Sequence, residues 1–270
     1  MADRHAAFVG SIPEKYDEYL GPLLFHSYAD DLATRLVVTR NMRVLETACG
    51  TGILTERLLR RLAGQGVLVA TDLNEPMIAY ARQKGVGEAG LEWRQADATH
   101  LPFEESSFDA VLCQFGLMFF PDKLAGLREA FRVLKRGGRY LFNVWDALRH
   151  NMIAQITHET IASFFPSNPP QFYSVPFSLH DPASICAWLA DVGFRSVEWQ
   201  SVPKVGTSPT AGAAAMGLIE GNPVYAAILE RRPEALDDIR TAVANHLAAQ
   251  FGGPPLRCPL RAFVFSATRP

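Results

Sequence analysis

The chain has 270 residues, 48% of them hydrophobic and 20% charged, with a formal net charge of −2. That is length enough for one sizeable core, and the even charge balance excludes a protein that binds nucleic acid or an anionic membrane by electrostatics. The first residues, Met1 to His5, open no apolar signal region, and the longest apolar run, Ala110 to Phe120, is broken by Gln114 and too short to cross a bilayer. The four cysteines, Cys49, Cys113, Cys186 and Cys258, have no metal-type pairing. They imply reduced thiols and a cytoplasmic location.

In chain order, residues 1–39 precede the first strand and carry aromatic and apolar residues close together (Tyr16, Tyr19, Leu20, Phe25, Tyr28), then Leu32 and Leu36 at helical spacing. Val44 to Thr47 reads as a buried strand. It runs through Ala48-Cys49-Gly50-Thr51-Gly52 into an amphipathic helix from Ile53 to Leu59. Glycines at 50 and 52 allow a sharp turn and close approach of a ligand to the backbone, and the helix offers free N–H groups beside it. A dinucleotide fingerprint would place a third glycine at 55, where this chain has Thr55. Glu46, at the carboxyl end of the strand, would repel a pyrophosphate and attract an ammonium group. Val67 to Asp72 is a second strand, and Asp72 lies twenty positions after Gly52, where a βαβ unit delivers a carboxylate to a ribose. Asn74 and Pro76 start a helix through Met77, Ile78 and Ala81. Leu91 to Ala96 is a third strand followed by Asp97, Ala110 to Cys113 a fourth, Asp122 to Leu134 a helix with a glycine cap at Gly137-Gly138, and Arg139 to Trp145 a fifth strand.

The pattern then changes. Residues 147–180 hold an amphipathic helix and a loop rich in proline and aromatics, and residues 207–253 hold further helical stretches. Between and after these insertions lie a helix from Asp181, a sixth strand from Phe194 to Val202, and a last strand from Arg261 to Thr268. These elements describe an α/β chain, a doubly wound seven-stranded sheet with helical cap insertions.

The acid, glycine turn and two further strand-end acids resemble motif I and its sequels in the class I S-adenosylmethionine-dependent methyltransferases. Leu101-Pro102-Phe103 and Ser107-Phe108-Asp109 are similar to the corresponding stretch of the menaquinone/ubiquinone-biosynthesis-like (type 11) small-molecule enzymes. The resemblance covers residues 40–145 closely and 181–202 and 261–268 loosely. It implies a mostly parallel sheet with an antiparallel seventh strand between the fifth and sixth. It implies one methyltransferase domain over 1–270, with a core of about 40–146, 181–206 and 254–270 and a cover of 1–39; the insertions 147–180 and 207–253 lie outside the resemblance and are expected to cap the carboxyl ends of the strands. The cofactor it implies is S-adenosyl-L-methionine, leaving as S-adenosyl-L-homocysteine. The implied cofactor set is Tyr16, Glu46, Ala48, Gly50, Gly52, Asp72, Leu73, Met77, Asp97, Ala98, Gln114 and Phe115, with Tyr16 capping the methionine end and Asp97 accepting from the adenine amine.

Methyl transfer from a sulfonium is an in-line displacement in which the protein chiefly aligns acceptor, methyl and sulfur and excludes water. Consistent with that, the chain shows no hydrolytic triad, metal cluster or Walker loop. Cys113-Gln114-Phe115-Gly116 does not match the Asn/Asp-Pro-Pro-aromatic string of amino-methyltransferases of nucleobases; Asn222-Pro223-Val224-Tyr225 is similar to it but lies elsewhere. Cys113 reads as a core residue rather than a nucleophile. The acceptor expected is a small apolar or aromatic molecule, and the residues expected around it are Leu117, Met118, Phe119, Phe120, Trp145, Phe164, Phe165, Phe172 and Tyr173, of which Phe119, Trp145, Phe172 and Tyr173 form the substrate set. Candidate bases are His26, His150, His158 and His180, with His150 best placed. Nucleic acid, membrane and metal are not expected partners. The alternatives left open are an NAD-type oxidoreductase, an S-adenosylmethionine-binding protein with a non-methylating role, and a homodimer interface in place of the caps.

Overall fold

A computed structural model describes residues 6–85 and 89–270; Met1 to His5 and residues 86–88 lie outside the described residues. Seven strands form one sheet: β1 (Met42–Thr47), β2 (Gly66–Asp72), β3 (Leu91–Gln95), β4 (Phe108–Gln114), β5 (Leu134–Trp145), β6 (Arg195–Ser208) and β7 (Leu256–Thr268), in the order 3-2-1-4-5-7-6. The first five strands are parallel, and β7 runs antiparallel between β5 and β6. This is the doubly wound fold expected. The order reverses between β1 and β4, so the crevice for a ligand falls at their carboxyl ends.

Helices α3 (Ile53–Leu62), α4 (Glu75–Gln83), α5 (Lys123–Val133) and α7 (Pro182–Val192) are the crossovers of this sheet. Val44, Leu45, Leu68, Val69, Val111 and Leu112 are fully buried, as parallel strands covered on both faces require. Asp122 and Asp181 cap α5 and α7 by accepting backbone N–H bonds from the first turns.

Three boundaries differ from expectation. Helix α5 has no glycine cap: it ends at Val133, Leu134 is already extended, and Gly137 (φ +77°) sits inside β5 with its N–H on Arg269 O at 2.7 Å. Strands β6 and β7 also reach further than predicted. Their antiparallel pairing continues from Val202↔Ala262 to Ser208↔Leu256, and the outer strand there is polar, so hydropathy hid it. The second insertion is therefore an excursion from the tip of a long hairpin.

That excursion carries α8 (Ala211–Glu220), α9 (Val224–Arg231) and α10 (Leu236–Phe251); the first insertion carries α6 (Met152–Ser163). Ile239, Val243 and Leu247 of α10 are fully buried in the one large core cluster that also holds Ile153 and Ile161 of α6. The segment before β1 comprises α1 (Ile12–Lys15), a ten-residue π-helix (Tyr16–Phe25) and α2 (His26–Thr34). The π-helix contains Pro22, which has no N–H to give to a normal helical ladder, and it ends with His26 N donating to Gly21 O, five residues back. Gly217 lets α8 lie against it, because a Cβ there would stand 2.6 Å from Tyr19 Cβ. No helix of the described residues is long and apolar enough to cross a membrane.

Candidate active site

Two adjoining cavities lie at the carboxyl ends of β1 and β4. The smaller is lined by Tyr16, Phe25, Glu46, Ala48, Gly50 and Gln114, among others. Its floor is the turn after β1, where Ala48, Gly50 and Gly52 all take positive φ (53°, 56° and 81°). Gly52 is the N-cap of α3, so that helix starts at the cavity.

Asp72 organises this turn. Its Oδ2 accepts Gly50 N–H at 2.9 Å and its Oδ1 accepts Asn74 N–H at 2.8 Å. Burial pushes its pKa up, against the pull of those bonds. Glu46 is 1% exposed. Its Oε2 accepts the Thr55 hydroxyl at 2.6 Å, whereas Oε1 is buried with no partner. Thr55, which stands where a dinucleotide motif has glycine, thus aims the carboxylate. Burial raises Glu46 to about 8, with the Thr55 bond lowering it and Asp72 raising it. Gln114 repeats the pattern: its Nε2 donates to Phe25 O at 3.1 Å, and its Oε1 is buried without a partner. Two unpaired oxygens in one small cavity suit a cationic ligand, since each is costly to leave unbonded. A pyrophosphate would find the same oxygens repulsive.

Met77 is buried beside this turn, its Cε 3.6 Å from where a Gly50 Cβ would stand. Leu73 is 49% exposed. Asp97 is exposed next to half-buried Ala98 and turns its Oδ1 onto Thr99 N and Oγ1, at 2.8 and 2.7 Å. Asp17, on the π-helix, ties the cover to the turn by accepting Thr51 Oγ1 at 2.7 Å and Lys84 Nζ at 2.6 Å.

The second cavity holds about 580 Å³ of space, part of it open to solvent, and is almost wholly apolar. Phe115 stacks on Trp145 with centroids 4.0 Å apart, and Phe119 on Phe172 at 6.3 Å. Phe115 takes φ +50°, a conformation disfavoured for an aromatic residue. It is held there by its N–H, which donates to Asn143 Oδ1 at 2.9 Å. Tyr16 and Phe25, stacked at 4.7 Å, line both cavities and form the wall between them.

The structure brings Met118, Phe119, Trp145, Phe172 and Tyr173 to this cavity, as the sequence implied. It does not bring Leu117, Phe120, Phe164 or Phe165, which pack in the core around it. His150 lines neither cavity. Its Nδ1 lies 2.9 Å from Asp146 Oδ2, an oxygen that also forms an ion pair with Arg261, 2.6 Å from its Nε. The other candidate bases also stand apart. Burial lowers the pKa of His26 and of His158, and His180 Nδ1 lies 2.9 Å from Phe177 O. Cys113 is fully buried. Phe8, Phe25, Asn151 and Asn222, none of them singled out from sequence for the acceptor site, do line the aromatic cavity. Asn222 belongs to the Asn-Pro string set aside there, and nothing in the sequence announces that it reaches this cavity.

Residues 45–142 match a methyltransferase domain family. The C-methyltransferase of ubiquinone/menaquinone biosynthesis from Idiomarina loihiensis is 31% identical over 182 residues, 61% of this chain and 71% of that one. The chain belongs to the class I S-adenosylmethionine-dependent methyltransferases. Its cofactor is S-adenosylmethionine, and the orphaned oxygens of Glu46 and Gln114 fit that ligand's ammonium and sulfonium. Solved structures share the fold at lower identity. The phosphoethanolamine N-methyltransferase 2 of Haemonchus contortus matches with a TM-score of 0.61 and 15% identity, covering 96% of this chain and 57% of that one. The YcgJ protein of Bacillus subtilis matches with a TM-score of 0.59 and 18% identity, covering 90% and 99%. This methyltransferase has no group that could hold a metal ion among its described residues.

Proposed function

We propose that this methyltransferase moves the methyl group of S-adenosylmethionine to a small aromatic acceptor, of phenol or quinol type, held in the aromatic cavity. The observation that carries this reading is the pair of cavities sharing Tyr16 and Phe25, one polar with two unpaired acceptor oxygens, the other apolar. The name of the Idiomarina relative, an enzyme of quinone biosynthesis, supports a quinol-like ring.

In this reading Glu46, Gln114 and Tyr16 hold the methionine end, Gly50 and Gly52 pass close beneath it, Asp72 takes the ribose hydroxyls, and Met77, Asp97 and Ala98 flank the adenine. Bound there, the sulfonium supplies an activated methyl. Phe115, Phe119, Trp145, Phe172 and Tyr173 orient the acceptor ring and keep water out. Tyr16 and Tyr173, both with pKa values raised by burial, stay protonated at neutral pH. No His, Asp, Glu, Lys, Arg or Cys is among the residues lining the aromatic cavity. The acceptor therefore sheds its proton to solvent before or after transfer rather than to a protein base, which fits acidic hydroxyls. The caps act as a lid on this cavity, and four free cysteines, two of them buried around the sheet end, suit the cytoplasm.

The test is release of S-adenosylhomocysteine over a panel of phenols, quinols, amines and carboxylic acids. Turnover concentrated in the phenols and quinols is expected. Turnover confined to amines or acids would overturn the acceptor class.

A further inference from the structure

The aromatic cavity has a polar corner contributed wholly by the caps. Tyr173 lies in the first insertion and Leu218 and Asn222 in the second. The Tyr173 hydroxyl donates to Leu218 O at 2.6 Å, and Asn222 Nδ2 donates to the same carbonyl at 3.0 Å. Burial raises the pKa of the Tyr173 phenol, and the neighbouring Asn222 side chain opposes that rise. The reversed amide would set Oδ1 against the Leu218 carbonyl, acceptor against acceptor, so the orientation is decided by that carbonyl. That orientation leaves Asn222 Oδ1 as the acceptor of the corner. No group among the described residues donates to Asn222 Oδ1, and the residue is 8% exposed and lines the cavity.

Asn151, the other amide on that wall, has nothing to spare. Its Nδ2 donates to Asp146 O and Arg261 O, and its Oδ1 accepts Arg261 N–H at 2.9 Å. It fastens α6 to β7 and reads no ligand.

We propose that Asn222 is a specificity-determining residue, whose Oδ1 accepts a hydrogen bond from a hydroxyl or N–H on the acceptor, with Tyr173 and Leu218 O as the groups that orient it. This rests on the assignment of the aromatic cavity to the acceptor. An acceptor atom on the wall of an otherwise apolar cavity discriminates once a bound ring excludes water, because an analogue without the donor leaves it unbonded. The corner thus selects a ring bearing a donor over the same ring with that group capped.

The experiment is equilibrium binding by calorimetry, with S-adenosylhomocysteine present, of 2-naphthol and of 2-methoxynaphthalene, which differ by the donor. The wild type should bind 2-naphthol about 5–10-fold more tightly, the worth of one net hydrogen bond. In Asn222→Ala the ratio should fall to about 1, with 2-methoxynaphthalene affinity changed less than about twofold. Tyr173→Phe keeps the ring and removes the orienting phenol, and should lower the ratio by about 2–3-fold; it and Asn222→Ser carry the test if the alanine variant fails to fold by circular dichroism. A preference that survives in Asn222→Ala, or its absence in the wild type while both probes bind, overturns the role of Asn222 and leaves the cavity assignment standing. If neither probe binds the wild type, the cavity assignment fails and this inference fails with it.

Discussion

The small cavity draws most of its polar atoms from the end of β1, the turn between strand and helix, and Gln114 at the end of β4. The aromatic cavity draws its walls from the cover before β1, the ends of β4 and β5, and both insertions. One is built by local chain geometry at strand ends, the other by segments that meet only after folding. The first can be broken by a single backbone change, whereas the second is a shape with many contributors, so damage to it should be graded.

The largest effect is expected at Gly50. Its φ of +56° is one that a β-branched residue adopts only at a cost, yet the nearest atom to a Cβ there is the flexible Met77 Cε at 3.6 Å. Gly50→Val should therefore fold and lose S-adenosylhomocysteine affinity by about 100-fold or more, measured by calorimetry alongside a circular dichroism spectrum close to wild type. Normal binding in a folded variant would falsify the placement of the turn under the ligand. Asp72→Ala comes next. It removes the proposed ribose acceptor and also the bonds to Gly50 N and Asn74 N. A charge-assisted bond is worth about 1.5–3 kcal/mol, so a weakening of more than about tenfold is expected.

On the other side of the wall, replacing Phe172 and Tyr173 together by alanine should raise the acceptor KM several-fold and leave cofactor affinity nearly unchanged. A parallel loss of cofactor affinity would mean the two cavities are not separable. Hydrogen exchange sharpens this arm of the comparison. Protection of 147–180 that depends on acceptor supports a lid, and protection that depends on protein concentration alone supports a dimer interface in its place.

The same contrast explains what could be read in advance. Glu46, Gly50, Gly52 and Asp72 were legible because a strand, a tight turn and a helix fix their relative positions within a few residues. Even Thr55, noticed only as a missing glycine, has its reason in that local frame, since it bonds Glu46 at 2.6 Å. Phe119 and Trp145 were legible as aromatic residues near strand ends, and Phe172 and Tyr173 as aromatics between prolines in the first insertion, but Phe164 and Phe165, of the same composition, went to the core. Which way a cap helix turns its faces depends on partners far along the chain, such as α10 against α6. Asn222 shows this most clearly: the bond between cap residues 173 and 218 brings it to the cavity, and no spacing announces that. The continuation of β6 to Ser208 was hidden because Pro203, Lys204, Gly206, Thr207 and Ser208 carry little hydropathy, which reads as loop.

The last effect expected concerns Glu46 and belongs to the ligand-free protein. Burial, the largest influence, raises its pKa to about 8, eased by Thr55 and increased by Asp72. In the unfolded chain it titrates at the usual carboxylate value of about 4.3. Between those values the folded state keeps a proton that the unfolded chain releases, so stability must fall as pH rises through that window and level off above about pH 8. Buried Asp72, also raised, adds a slope of the same sign. Glu46→Gln has no proton to lose at this site. Its melting temperature should therefore fall by on the order of 10 °C less than that of the wild type between pH 5.5 and pH 8.5, given about 1.36 kcal/mol per pH unit below the folded pKa and about 2–4 °C per kcal/mol for a chain near this size. Adding S-adenosylhomocysteine should shrink the wild-type loss, because its ammonium group favours the ionised carboxylate. Equal slopes for the two proteins, with and without ligand, would show that Glu46 is not held in the unpaired, dehydrated state from which its role at the small cavity was read.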